Sequence, residues 1–357
     1  MLRYSLKYVK SVATALLAAM LVMAAQTGCK NPVFDYEGDC SVSYNIKFRY
    51  DKNLKWADAF ASEVKSVRLY AFDTNGVLCK VFTDRGDALA NPDYRMKIEL
   101  PAGDYHLVAW CGIDNESLEQ PQFDVPTATP GSTILDELTC RLRRQPDAPF
   151  AAASKQRLEF MFHGQLDVQL PEDEDGGDFT YVMPLTKDTN HVRIILQQLS
   201  GEDADADDFD FRIEDKNGFY AHDNSLLDDE TITYRPYKTM TGTAGVGKQS
   251  ATRTIIYVNG AIADLSVARL MADRNRDMIL TITNKHGDTV ASFPLIDYAL
   301  LAKDYYEEAY GRKMDDQEFL DREDEYVMTL FLDETQRWID TSILIHSWRV
   351  VVHDYEA

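Results

Sequence analysis

No apolar stretch in this sequence reaches the ~20 residues that a helix needs to cross a membrane. The run from Val12 to Ala25 stops well short of that length, with Thr14 its only polar member. Positive charge is scarce as well: 37 basic residues stand against 59 acidic ones, a net charge of −22. A nucleic-acid backbone is held by Lys and Arg concentrated on one face, so this balance argues against a nucleic-acid partner. The five cysteines include no CxxC pair, the seven histidines include no HExxH and no pair at ligand spacing, and no GxSxG elbow occurs. The sequence therefore offers no catalytic, metal or cofactor candidate, and no small-molecule substrate is evident. Carboxylates are plentiful enough to supply a glycosidase pair, but the acidic surplus is more economically a solvated surface.

Short as it is, the 12–25 run suits the apolar core of a signal peptide, with Arg3, Lys7 and Lys10 supplying the basic region ahead of it. Ala24-Ala25-Gln26-Thr27-Gly28-Cys29 then reads as a lipoprotein junction. Cleavage after Gly28 makes Cys29 the new N-terminus, whose thiol and amine can carry acyl chains of the palmitate kind. A diacylated sulfur and an acylated amine together exceed the two-signal threshold for stable anchoring, at about 0.8 kcal/mol per buried CH2. Gln26 departs from the usual motif, which places Leu or another small or apolar residue there. The plainer alternative is an ordinary cleaved signal with a coincidental Cys. The position of Gly28-Cys29 directly behind the apolar run argues against it. Residues 1–28 are thus read as the signal peptide, 29–40 as a lipidated tether and Cys29 as the lipid attachment site.

Without the signal's three basic residues, 34 basic residues remain against 59 acidic ones, a net charge of −25. Such a surface fits a soluble body held outside a membrane. The chain beyond Cys29 is longer than the roughly 250–300 residues at which one hydrophobic core stops growing, so two domains are expected. Glu172-Asp173-Glu174-Asp175-Gly176-Gly177-Asp178 combines four consecutive acids with two glycines and marks the boundary, giving domains at 41–176 and 177–357. Beyond Cys29, the cysteines Cys40, Cys79, Cys111 and Cys140 allow zero to two disulfides in several connectivities. Cys40 with Cys111 is one candidate pair; buried free thiols in apolar strands are the alternative for Cys79 and Cys111.

Period-two alternation dominates the rest of the chain, and it marks half-buried strands. Val42, Tyr44, Ile46 and Phe48 share one side of a first strand, with Ser43, Asn45, Lys47 and Arg49 on the other. Residues 56–65 carry Ala57, Phe60, Ala61 and Val64 at helical spacing, which predicts a short helix closing one end of a sandwich. Strands at 67–72 and 77–82 flank Asp73-Thr74-Asn75-Gly76, where Asn-Gly supplies the positive φ of a tight hairpin. A second hairpin is expected from strands 95–100 and 105–111 around Pro101-Ala102-Gly103-Asp104. The proline-rich segment 120–149 has no long helix and is kept out of central strands. Residues 158–170 return to strand composition. The second half shows strands at 191–199, 209–213, 255–259, 278–283, 290–294, 326–332, 342–346 and 348–353, with helices at 299–310 and 315–325 bringing Leu300, Tyr306, Tyr310, Phe319 and Leu320 to packing positions. The strand 209–213 leading into Asp215-Lys216-Asn217-Gly218 echoes the strand and turn at 67–76, in keeping with two domains of one kind.

Three look-alike motifs fail on context. Gly242-Thr243-Ala244-Gly245-Val246-Gly247-Lys248 fits seven positions of a phosphate-binding loop, but Gln249 stands where Ser or Thr must reach Mg2+, and a strand follows where a helix is required. A glycine-rich surface hairpin explains it better. Asp203, Asp205, Asp207 and Glu214 match positions of a calcium loop whose obligatory Gly is here Asp208. Arg85-Gly86-Asp87 is too short to carry a function.

Several segments together point further. Phe34-Asp35-Tyr36-Glu37-Gly38-Asp39-Cys40, Lys47-Phe48-Arg49-Tyr50-Asp51, Trp56-Ala57-Asp58-Ala59-Phe60, Glu63-Val64-Lys65-Ser66-Val67, Leu100-Pro101-Ala102-Gly103-Asp104-Tyr105, Ala109-Trp110-Cys111-Gly112 and Leu185-Thr186-Lys187-Asp188-Thr189-Asn190 resemble the FimB-type fimbrial anchor subunits of Bacteroidales, and most of all their minor-fimbrium anchors. The likeness spans nearly the whole chain after the signal, to the strand around Trp348. It implies an all-β protein of two tandem transthyretin-like antiparallel β-sandwiches with a few short helices. It further implies an outer-membrane lipoprotein that fixes the base of a fimbrium and limits its length by strand or edge contact with stalk subunits. Stalk subunits of that kind open a groove by losing their first strand, and strand addition fills it. An anchor keeps its own, which here would be residues 42–48. The short tail after the strand 348–353 suggests an exposed edge there as the place where stalk is met. The alternatives are a surface glycan-binding lipoprotein, for which Trp56, Trp110, Trp338 and Trp348 would need to form platforms, and a secreted hydrolase.

Overall fold

Apolar residues on alternate positions of strand β1 (Val42–Arg49) turn Tyr44, Ile46 and Phe48 into the interior and leave Arg49 exposed. This strand belongs to a computed structural model that describes residues 42–114, 121–147, 149–150, 152–172, 177–198, 200, 202–247, 255–274, 277–345 and 348–352. The signal peptide, the tether, Cys29 and Cys40 lie outside the described residues. Residues 43–172 and 178–357 make up one compact unit, and 1–42 with 173–177 a second. The fold is mainly β, with antiparallel sheets arranged as two sandwiches and few helices.

In the first sandwich β1 is the middle strand of three, between β10 (Gly177–Pro184) and β4 (Met96–Ile98). Ile46 sits opposite Met96 and Tyr44 opposite Ile98. The accompanying five-stranded sheet runs β11 (Thr186–Lys187), β9 (Phe162–Leu170), β5 (Gly103–Cys111), β2 (Ser66–Phe72), β3 (Leu78–Arg85). Its central strands do not alternate: Val67, Leu69, Tyr70, Ala71 and Phe72 are all buried, as is every residue from Leu107 to Cys111. Both faces are covered, because Trp110 of β5 packs outward on Tyr220, 6.1 Å between ring centres. The β2–β3 link is the expected turn, with Gly76 at φ +72 and the Asp73 carboxylate accepting from the Asn75 and Val77 amides.

The second sandwich has a six-stranded sheet in the order β16 (Lys238–Gly247), β17 (Ile255–Ala268), β12 (Thr189–Gln198), β20 (Glu325–Leu332), β21 (Trp338–Ile345), β22 (Trp348–Val352). Its β12 and β20 run parallel, while the other neighbours are antiparallel. The five-stranded sheet is β19 (Thr289–Pro294), β18 (Ile279–Asn284), β13 (Phe209–Asp215), β15 (Ile232–Tyr234), β8 (Ala153–Ser154), with β15 and β8 parallel. A small sheet of β14 (Phe219–Tyr220), β7 (Cys140–Leu142) and β6 (Phe123–Asp124) joins the 120–142 segment to the second half. Helix α2 (Leu295–Tyr310) begins one turn before the expected start and ends at Gly311, φ +66. Helix α3 (Asp316–Arg322) is capped by the Asp315 side chain, which accepts from the Glu318 amide. Phe319 and Leu320 are buried, whereas Tyr310 is 52% exposed and stacks on Tyr306.

Several expectations need correction. The strands around Pro101–Asp104 do not form a hairpin: β4 pairs with β1, β5 pairs with β2 and β9, and the short link crosses between sheets. The helix expected over 56–65 shrinks to one turn, α1 (Phe60–Glu63). Trp56 takes φ +53, outside the right-handed helical region, and the Asp58 carboxylate binds the Tyr50 and Phe60 amides instead of leaving the chain free to coil earlier. Beyond the acidic segment where the boundary is expected, β10 lies beside β1 and β11 beside β9. Cys111 carries a free thiol, fully enclosed at the end of β5, and its candidate partner Cys40 lies outside the described residues. Cys79 and Cys140 are free too.

Candidate functional site

A strand that could be given up would have an open side and a shallow apolar face. β1 has neither. It is flanked on both sides, and its Tyr44, Ile46 and Phe48 are at most 6% exposed. Phe48 stacks on Phe60 at 5.6 Å, and Tyr50, just past the strand, meets Phe162 edge-on at 4.9 Å. The Tyr44 hydroxyl donates to the Pro171 carbonyl at 2.6 Å, and Asp178 of β10 accepts from Ser43 and Asn45. Exposing three large apolar side chains would cost roughly 5–9 kcal/mol in transfer free energy alone. Gly164 of β9 lets the next layer come close: a Cβ there would lie 2.7 Å from Leu185 and 2.8 Å from the Pro184 carbonyl.

Open edges exist elsewhere. Among the described residues β22 pairs only with β21, from Thr341–Val352 to Ile345–Trp348, and forms one margin of the six-stranded sheet. β16 forms the other. At the root of β21 the Trp338 ring lies 5.1 Å from Phe293 and 5.8 Å from Tyr298, so the outer hairpin is fastened to β19 and α2. An unpaired margin of this kind offers main-chain donors and acceptors to another strand.

Between the crossover at Asp188 and the two helices lies a buried ionic framework. Arg269 grips Asp321 with two bonds of 2.8 Å, Lys52 reaches the same carboxylate at 2.6 Å, and Arg269 also lies 3.7 Å from Asp188. Burial drives the Asp321 carboxyl upward, but Arg269 and Lys52 together hold it below its ordinary value. Asp188 is wholly buried, and burial wins there: its pKa is pushed up to about 7 despite Arg269 and the hydrogen bond from Asn224. Lys187 pairs with Glu63 and Asp324. Trp56 is held between the Arg322 and Arg312 guanidinium groups, 3.4 and 4.2 Å from its ring centre, and its indole N–H donates to Tyr306. Lys52 and Trp56 of the 50–63 segment and Lys187 and Asp188 at the crossover are thereby tied to residues beyond 260, so the framework stiffens the body between β1 and the outer hairpin.

Sequence reasoning did not single out Lys52, Arg269 or Asp321, and it met Asp188 only within the Leu185–Asn190 segment that carries the family resemblance. The one signal available was a charged residue directly bordering an apolar run, as Arg269 does after β17. Of the motifs weighed from sequence, the glycine-rich stretch is strand β16, antiparallel to β17, as the surface-hairpin reading requires. In the acidic loop Asp205 accepts from the Asp207 amide and the Thr241 hydroxyl, and Asp208 pairs with Lys285. No cluster of three or more His, Cys, Asp or Glu suited to a metal occurs among the described residues, nor does a helix long and apolar enough to cross a membrane.

A family model described as fimbrillin-A associated anchor proteins Mfa1 and Mfa2 matches residues 36–354. The chain is 22% identical over 236 residues to the minor fimbrium anchoring subunit Mfa2 of Porphyromonas gingivalis, covering 65% of this chain and 68% of that protein. The solved structure of the P. gingivalis anchor aligns over 88% of this chain and all of its own, with a TM-score of 0.61 at 18% identity, a likeness of fold. A candidate adhesin from Bacteroides thetaiotaomicron is 32% identical, with 89% of this chain and 100% of that one covered and a TM-score of 0.74. A protein from the same species described as a candidate polysaccharide-binding protein is 31% identical over 88% of this chain and 99% of its own, with a TM-score of 0.71.

Proposed function

The chain belongs to the family of fimbrillin-A associated anchor proteins, and from that footing we propose that it is an outer-membrane lipoprotein that holds the base of a fimbrium and limits its length. The family is one of anchors and not of enzymes. The observation that carries the reading is the place of β1, the middle strand of its sheet with both neighbours present. A subunit that keeps this strand has no groove for a donor and ends a chain of strand exchanges instead of extending it. Contact with the stalk then falls to a free margin, and β22 supplies one. Lipid at Cys29 holds the protein, residues 29–40 give it reach, and two sandwich domains meeting at the 188 crossover form the body.

Deleting the gene and comparing fimbriae by electron microscopy tests this directly. Longer fimbriae, shed into the medium, are expected; fimbriae of unchanged length and attachment would overturn the proposal.

A further inference from the structure

A pocket of about 320 Å3 opens against the six-stranded sheet, and anchoring gives it no task. Val192 and Ile194 of β12 point inward, so the alternate residues His191 and Arg193 reach the other face, where Asp264 of β17 and Glu325 of β20 flank them. Arg157 and Tyr237 close the wall. Arg193 is satisfied by a two-pronged pairing with Asp264, at 2.6 and 3.0 Å.

Three groups in this wall have nothing to bind among the described residues. The exposed Arg157 guanidinium makes no ion pair among the described residues, in a chain where acidic side chains outnumber basic ones. The Tyr237 hydroxyl has no hydrogen bond, and His191 Nε2 is buried with no partner. Burial depresses the His191 pKa, and the nearby Arg157 charge depresses it further. Asp264 and Glu325 keep lone pairs open as acceptors beside these donors.

A planar guanidinium recognises a carboxylate by two parallel bonds. Carboxylate acceptors recognise hydroxyls. A ligand that presents one carboxylate together with several hydroxyls matches both halves of the wall, and a volume at the small end of ligand sites suits a single sugar ring. An acidic peptide would satisfy Arg157 but brings no hydroxyls for Asp264 and Glu325. We propose that this pocket binds a sugar acid, a uronic or sialic acid residue of a glycan, with Arg157 pairing to its carboxylate and Asp264 and Glu325 accepting from its hydroxyls. Such binding is independent of the anchoring role.

Titration calorimetry and saturation-transfer NMR on the full chain would use N-acetylneuraminic acid and methyl glucuronide as probes, against methyl glucoside, acetate and N-acetylglutamate amide. One sugar acid should bind at least about tenfold more tightly than the glucoside and the acetate, the scale of one charge-assisted hydrogen bond. Arg157→Gln should abolish that preference and leave the melting temperature unchanged, since Arg157 has no internal ion pair to lose. Arg157→Lys keeps the charge without the fork and should fall between the two, which guards the test against a folding defect in the glutamine variant. The proposal is overturned by equal binding of acid and neutral sugars, by glutamate amide or acetate binding as well as the sugar acids, by no sugar-acid binding, or by an undiminished preference in Arg157→Gln.

Discussion

Asp188 is a carboxyl that water does not reach, placed where the chain passes from one sandwich to the other. Its pKa of about 7 in the folded protein exceeds the ordinary 3.8 because burial penalises the charged form more than Arg269 and Asn224 favour it. The folded state therefore holds a proton that the unfolded state has released. From pH 4 upward this group's contribution to stability declines, and the loss is complete once pH passes 7, amounting to about 4 kcal/mol. Asp321 acts in the opposite sense, losing its contribution as pH falls through its depressed pKa, so it does not disturb the interval between 5 and 8. Asp188→Asn keeps the shape and removes the titration. Denaturant unfolding at pH 5 and pH 8 should show a larger fall in stability for the parent than for the variant; parallel pH profiles would refute the assignment.

At the scale of elements, alternation identifies β1 and β13 because a strand with one buried face writes that face into every second residue, and apolar composition with turn residues at the ends marks β2 and β5. Neither signal says which sheet a strand joins. Residues 95–100 and 105–111 stand on either side of a turn-like Pro-Ala-Gly-Asp, and only tertiary pairing sends β4 to β1 and β5 to β2. Likewise the helical spacing at 56–65 is genuine in Phe60 and Val64, both buried, while the indole of Trp56 is held by Tyr306 far along the chain and Asp58 spends its carboxylate on the Tyr50 and Phe60 amides. The last described strand stands at a margin, and that position carries a test. Removing residues 350–357 unpairs Thr341, Ser342 and Ile343 of β21 while leaving the sheet's inner strands intact. If stalk contact uses this margin, the truncated protein should melt within a few degrees of the parent, reach the cell surface and yet release fimbriae into the medium. Normal attachment by a folded, displayed truncation would move the contact elsewhere.

For the molecule as a whole, length suggests more than one core, and composition alone marks the acidic glycine-rich segment at 172–178 as the place where they part. The strands on either side of it, β9 and β10, lie beside β5 and β1. What binds the two halves is chemistry that sequence pattern does not display: Lys52 and Arg269 meeting at Asp321 from distant parts of the chain, and Trp56 clasped by Arg312 and Arg322. A body tied in this way can pass a pull from its outer margin to its N-terminal side without opening, provided that side is itself held. Acyl chains on Cys29 would do so, each buried CH2 adding about 0.8 kcal/mol against extraction. Serine at 29 offers no thiol for the thioether and lies ahead of every strand described. Cys29→Ser should therefore give a protein with the parent's circular dichroism and melting temperature that is recovered outside the membrane fraction, with fimbriae shed into the medium in step. Membrane-bound protein and cell-bound fimbriae in the variant would show that attachment runs through some other part of the chain.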